Sequence, residues 1–260
     1  MNHIIECDKL CFGYESGKHI LDNVTFTVDK GELITLIGPN GAGKSTFLNC
    51  LCNLLKPSSG TIKLNGKDIS HLSRRQISAI VAYVPQKTSV PFDYSVRDFT
   101  VMGRAAYYSM LQNPDESDYE KVDAALRRLG IEELSERPIN TLSGGEQQKV
   151  CIARALVQEA ELIILDEPTS ALDYGNQMRV LRLIRELSHM GMAILVTSHN
   201  PDHALMLESK VAILDKSGHL ETGDCADILT SEKLSELYST PLLTVYLQHF
   251  KRSICLPVGL

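Results

Sequence analysis

The sequence predicts an α/β fold built around a phosphate-binding loop, and three observations carry that reading. Gly38-Pro39-Asn40-Gly41-Ala42-Gly43-Lys44-Ser45-Thr46 is a glycine-rich turn set between an apolar strand and an amphipathic helix. Two later apolar runs, Leu162-Ile163-Ile164-Leu165 and Met192-Ala193-Ile194-Leu195-Val196-Thr197, end at Asp166-Glu167 and at Ser198-His199. Buried strands with polar residues at their C-terminal ends form the ligand edge of a parallel sheet. Residues from about 87 to 139 switch to a helical pattern, which reads as a helical subdomain inserted into that core.

The loop fits G-x-x-x-x-G-K-[ST]. Glu32-Leu33-Ile34-Thr35-Leu36-Ile37 reads as the strand entering it. Phe47, Leu48, Leu51, Leu54 and Leu55 mark one face of the helix leaving it, with Pro57 just beyond. Glycines let the backbone curl without Cβ clashes, so successive N–H groups can converge on phosphate oxygens. The following helix adds its N-terminal N–H groups and dipole. In such a loop Lys44 would reach β- and γ-phosphates, and the Ser45 hydroxyl would ligate Mg²⁺.

Length and composition bound the rest. At 260 residues the chain is one large domain or a core with a subdomain, and its 43% hydrophobic content is ordinary for a folded protein. A net charge of −6 argues against nucleic acid as the main partner. No apolar run approaches the ~18 residues that span a bilayer. Met1 to Asp8 has neither the basic nor the apolar region of a signal peptide. The seven cysteines, Cys7, Cys11, Cys50, Cys52, Cys151, Cys225 and Cys255, are scattered and odd in number, which reads as reduced thiols in a cytosolic protein.

In chain order, Tyr14 follows Leu10-Cys11-Phe12-Gly13 and is either a base-stacking aromatic or a strand-edge core residue. Val24, Phe26 and Val28 alternate with Thr25 and Thr27, and Ile62 and Leu64 alternate ahead of an Asn65-Gly66 turn; both read as short strands. Ile80 to Val84 is a strand ending at Pro85-Gln86. Ser95 is placed to cap a helix carrying Val96, Phe99 and Met102. Ser117-Asp118-Tyr119-Glu120 reads as a capping box ahead of Val122, Ala125, Leu126 and Leu129, closed by Gly130. Pro91 and Asn113-Pro114 fall in loops of this stretch. Leu181, Ile184 and Leu187 mark a further helix, and Asn200-Pro201 caps another. Val211 to Leu214 and Leu220 to Thr222 form a hairpin about Lys216-Ser217-Gly218. Residues from about 224 to 260 are weakly patterned and carry no assignable chemistry.

Three segments carry chemistry beside the loop. Leu142-Ser143-Gly144-Gly145-Glu146 combines an S-x-x-E capping box with two glycines, poor helix formers that let another group approach a helix N-terminus, itself an anion site. Asp166 suits Mg²⁺, directly or through water, and Glu167 is the candidate general base for an attacking water; a solvated strand end is the competing reading. His199 ends a core strand on the same edge and could reach a γ-phosphate, although a lone histidine is more often structural.

Over roughly residues 4 to 225 these segments resemble, in order and spacing, the nucleotide-binding subunit of an ATP-binding cassette (ABC) transporter. Tyr14 is similar to the family's aromatic A-loop, Gly38 to Thr46 to its Walker A motif and Gln86 to its Q-loop. Leu142 to Glu146 resembles the signature motif, which separates this family from other P-loop enzymes. Leu162 to Glu167 looks like Walker B, Ser170-Ala171-Leu172-Asp173 like the D-loop, and His199 like the switch histidine. Glu146 stands where the family most often has glutamine, a change the capping box tolerates, and Lys149 replaces a common arginine with its charge retained.

The resemblance implies an α/β P-loop NTPase core, a RecA-like mixed sheet with an antiparallel N-terminal β subdomain, plus an inserted α-helical subdomain. Residues 1–225 would form the ATPase domain, with the helical subdomain at about 87–155 and a C-terminal extension at 226–260. It implies ATP and Mg²⁺ as ligands. Tyr14 and Gly38, Pro39, Asn40, Gly41, Ala42, Gly43, Lys44, Ser45 and Thr46 would hold the nucleotide, joined by Ser143, Gly144, Gly145 and Asp173 across a head-to-tail dimer of two copies. Ser45, Gln86 and Asp166 would hold Mg²⁺, while Glu167, His199, Lys44 and Gln86 carry catalysis. The Q-loop and helical subdomain would pass the motion to membrane permease subunits, with the chain peripheral on the cytoplasmic face and a substrate-binding protein as an indirect partner. Leu172 to Gln177, and Pro91 to Val96 followed by Met102-Gly103-Arg104, resemble the iron-siderophore, haem and cobalamin importers. That implies import of a metal chelate. A molybdate-type importer, or a soluble ABC ATPase of the iron–sulfur cluster assembly type, would share the same motifs.

Overall fold

The computed structural model describes residues 3–14, 19–86, 92–108 and 112–259. The chain opens with β1 (Ile5–Phe12) and β2 (Leu21–Val28), paired antiparallel, and Val24, Phe26 and Val28 point inward as their alternation requires. Then β3 (Leu33–Ile37) leads through the glycine loop into α1 (Lys44–Leu51). Next, β4 (Ser59–Leu64) and β5 (Lys67–Asp68) complete a four-stranded sheet in the order β2-β1-β4-β5. Asn65 and Gly66 turn between them at φ 47° and 77°, the left-handed pair of a tight hairpin.

After α2 (Arg74–Ile80) and β6 (Val81–Val84) come the helices α3 (Val96–Val101), α4 (Glu116–Arg128) and α5 (Gly144–Val157). The α/β alternation resumes with β7 (Leu162–Leu165), α6 (Tyr174–His189), β8 (Ala193–Ser198), α7 (Pro201–Leu207), β9 (Lys210–Leu214) and β10 (Leu220–Gly223). The central sheet has the order β10-β9-β3-β8-β7-β6, parallel except for the edge strand β10. Because β3 lies between β8 and β9, the glycine loop opens at the same edge as the ends of β7 and β8.

The sheet is buried on both faces, which is why its strands read as unbroken apolar runs. On one face Leu162, Ile164 and Leu195 pack with Phe47, Leu48 and Leu51 of α1 and with Phe26, joining the antiparallel sheet to the core. On the other, Ile163, Leu165, Ile194 and Val196 pack with Phe99, Val122, Leu126 and Val150 of the three central helices and with Leu181 and Ile184. All seven cysteines are free thiols, and burial pushes Cys50 up to about 11 and Cys52 up to about 12.

Several local expectations are corrected. Helix α1 stops at Leu51, so Leu54 is exposed and only Leu55 reaches the core; Asn53, at φ 55°, turns the chain away. Ile80 ends α2 rather than starting β6. Asp115, not Ser117, caps α4: its carboxylate accepts from the Ser117 and Asp118 N–H groups, and Asp118 reciprocates at the Asp115 N–H. Met102 lies beyond α3 on the surface, while Ser95 does cap that helix. Pro91 and residues 87–90 lie outside the described residues. The weakly patterned end of the chain is ordered: α8 (Cys225–Ile228), α9 (Ser231–Tyr238) and a hairpin of β11 (Leu242–Leu247) with β12 (Arg252–Pro257). The Cys255 N–H donates to Asp202 Oδ1 at 2.7 Å, fastening β12 to the first turn of α7.

Phe47 is fully buried and meets Phe26 edge-on, with ring centroids 5.3 Å apart. Phe47→Ala should cost about 3–5 kcal/mol of stability, read from chemical denaturation midpoints.

Candidate active site

The glycine loop is shaped by what surrounds it. A Cβ on Gly38 would lie 2.3 Å from the Leu214 carbonyl oxygen, so only glycine fits against β9. Gly43 has φ 99° and turns the chain into α1. Lys44, the first helical residue, is buried under the loop it closes. Its Nζ donates to Gly38 O at 2.8 Å and Pro39 O at 3.3 Å, and it pairs with Glu167 Oε1 at 3.3 Å.

Asp166 and Glu167 leave the end of β7 differently. Asp166 is buried and accepts from Thr197 Oγ1 at 2.8 Å and from the Tyr83 hydroxyl at 3.3 Å. Burial, and then the Asp166 carboxylate, push the Tyr83 phenol far up, so it remains a donor. The Glu167 N–H donates to Thr197 Oγ1 at 2.7 Å. Glu167 has φ 45°, in the left-handed region that non-glycine residues adopt uncommonly and at a cost. Its carboxylate accepts from Gln86 Nε2 at 3.1 Å and lies 3.4 Å from His199 Nδ1. Side chains from α1, from the end of β6 and from the end of β8 therefore converge on one carboxylate.

A cavity of about 620 Å³, within the ordinary range of small-molecule sites, opens at this point. It brings together Tyr14, Asn40, Gly41, Gly43, Lys44, Ser45, Thr46, Gln86, Glu167 and His199. Tyr14 is exposed at its rim, its hydroxyl 3.3 Å from Thr46 Oγ1 and its ring edge-on to Phe12, so it is not a core residue. Gly38, Pro39, Ala42 and Asp166 shape the site from behind the lining. Ser143, Gly144, Gly145 and Asp173 do not line it. Ser143 caps α5 in a reciprocal box with Glu146, whose carboxyl these hydrogen bonds hold below its usual range. Asp173 caps α6 and is held low by Asn176. A Cβ on Gly145 would meet the Asn176 side chain at 2.9 Å, so the starts of α5 and α6 abut.

Three contributors escaped the sequence reading. Thr197 is one, and a hydroxyl in an otherwise apolar strand was its signal, since a buried hydroxyl needs partners. Ser170, which accepts from Gln86 Nε2 at 3.3 Å, lies in the quoted D-loop segment. Ile20 lines the cavity with no local signature at all.

The family model of ABC transporters matches residues 21–170. The chain belongs to the ABC transporter family. Like other ATP-binding subunits of that family it binds ATP and is an ATPase that powers transport, on an α/β P-loop fold. This ABC chain is 38% identical to a Helicobacter pylori protein named probable iron chelatin transport ATP-binding protein, over 94% of this chain and 96% of that one. It is similar to the structure of an inward-facing metal-chelate type ABC transporter, with a TM-score of 0.88, 33% identity, and 100% of this chain and 98% of that one covered. It also resembles a dimeric ATP-binding cassette in a post-hydrolysis state bound to ADP and Pi, with a TM-score of 0.74, 25% identity, and 85% and 98% coverage. Among the described residues, no helix is long and apolar enough to cross a membrane.

Thr197→Val keeps the strand's shape but removes the partner of both Asp166 and the Glu167 N–H. It should cost about 1–3 kcal/mol in a denaturation experiment.

Proposed function

We propose that this chain is the ATP-hydrolysing subunit of an importer for a metal chelate, with Glu167 as the base that activates water. The convergence of Lys44, Gln86 and His199 on Glu167 supports this reading. The loop N–H groups and Lys44 bind the phosphates, and the exposed ring of Tyr14 stacks on the base. Phosphate oxygens compete with Glu167 for Lys44, which releases the carboxylate to take a proton from water. His199 holds the γ-phosphate.

Among the described residues, no cluster of three His, Cys, Asp or Glu side chains could hold a metal. Mg²⁺ fits nonetheless, because it keeps several waters and takes one or two carboxylates beside phosphate oxygens. Ser45, Gln86 and Asp166 would hold it, Asp166 through water because Thr197 and Tyr83 already occupy its oxygens. When bound, Mg²⁺ supplies positive charge against the phosphates.

Ser143, Gly144, Gly145 and Asp173 act on the nucleotide of a second copy. They sit at abutting helix starts outside their own chain's cavity, and a helix N-terminus favours an anion. A head-to-tail dimer places them there. Residues 1–225 make up the ATPase domain, with the helical subdomain at about 87–155 and the extension at 226–260. The chain docks on separate permease subunits at the cytoplasmic face, served by a substrate-binding protein. The metal-chelate cargo follows the relative and the structure whose names carry it.

Glu167→Gln should keep ATP affinity and ATP-driven dimerisation while turnover falls about 10²–10⁴-fold; a wild-type rate would reject the base. Purification from native membranes in mild detergent should bring a polytopic membrane protein in stoichiometric amount. Recovery with soluble partners alone would overturn the importer reading.

A further inference from the structure

We propose that His203 is a positioning residue for hydrolysis: through Nδ1 it ties the segment after Glu167 to the end of β8, just before His199. The proposal rests on the roles given above to Glu167 and His199.

His203 lies in the first turn of α7 and is only 5% exposed. Its Nδ1 is 2.9 Å from Ser198 Oγ and 3.5 Å from Thr169 Oγ1, and both hydroxyl residues are buried. Ser198 Oγ also donates to Asn200 O at 3.2 Å and accepts from the Asn200 N–H at 3.0 Å. A hydroxyl has one proton. In either tautomer His203 Nδ1 sits between the two hydroxyls, donating to them as Nδ1–H or accepting from one of them as the bare nitrogen. Nε2 is buried with no hydrogen-bond partner among the described residues. Burial, and then the neighbouring His199, lower the affinity of the ring for a second proton, with Asp202 opposing them; the ring is neutral at pH 7.

The placement explains why such a ring sits there. Thr169 follows Glu167 by two residues, and Ser198 directly precedes His199. One residue earlier on β8, Thr197 holds Asp166 and the Glu167 N–H. Consecutive hydroxyls of β8 thus grip the acidic turn at both ends, Thr197 directly and Ser198 through His203. Glu167 lies between the two grips in its left-handed conformation. A ring that only filled space would be better replaced by leucine, which has similar bulk and no orphan nitrogen to desolvate.

The test uses the full chain with His203→Leu, His203→Asn and His203→Gln, following kcat and KM for ATP and the thermal midpoint. The asparagine side-chain amide, which can donate or accept, falls near the Nδ1 position, whereas that of glutamine falls near Nε2. His203→Leu should keep or raise the midpoint and leave KM within about twofold, while kcat drops about tenfold or more. His203→Asn should recover kcat to within about threefold of wild type, and His203→Gln should not. Wild-type kcat in folded His203→Leu or His203→Gln would overturn the proposal, as would a folded His203→Asn as slow as His203→Gln. If His203→Leu fails to fold, the Asn–Gln contrast decides alone. Failure here leaves the Glu167→Gln result standing, whereas a wild-type rate in Glu167→Gln removes the reading beneath both.

Discussion

One hydroxyl, that of Thr197, holds the catalytic edge together. It donates to Asp166 and accepts from the Glu167 N–H, so a single atom fixes both acids at the end of β7. The contact to Asp166 is buried and the one from Glu167 half-buried, where a hydrogen bond is stronger and its loss more costly than in water. The parallel pairing of β7 with β8 places that hydroxyl, because the register sets Leu165 opposite Val196 and leaves Thr197 beside Asp166. The position of the carboxylates is therefore a consequence of sheet register, and the register is pinned by apolar packing on both faces.

The glycine loop depends on the same sheet from the other side. Gly38 touches β9 through the Leu214 carbonyl, and Lys44 folds back beneath the loop onto the Gly38 and Pro39 carbonyls. Phe47, Leu48 and Leu51 anchor the helix that follows in the core shared with the antiparallel sheet. A buried ammonium of this kind needs acceptors around it, and two backbone carbonyls with one carboxylate supply them. The loop thus closes over a cation already seated among three acceptors, two of them its own carbonyls and the third Glu167.

Most of this was legible where a short pattern carries its own physics. The glycine loop, the apolar strands ending in Asp166-Glu167 and Ser198-His199, and the Ser143–Glu146 box all depend on residues close in sequence. The α4 cap misled because Asp115, Ser117 and Asp118 all lie within one turn and each is a competent cap. Thr197 was hidden because threonine in a strand reads as ordinary β-propensity; its double role needs a neighbouring strand at a particular register. The hairpin of β11 and β12 left no clean alternation because both of its strands are at best half-buried. Ile20 reaches the cavity only through the tertiary fold.

The left-handed turn at Glu167 sets two demands in opposition. A non-glycine residue held there costs of order 1–3 kcal/mol, and glycine would remove that cost. Glycine, however, would leave Lys44 and Gln86 without the carboxylate they meet. The protein keeps the side chain and tolerates the strain, so a left-handed point of its backbone coincides with the carboxylate on which Lys44, Gln86 and His199 converge. Selection for thermal endurance alone would push this position toward glycine and strip the cavity of its carboxylate.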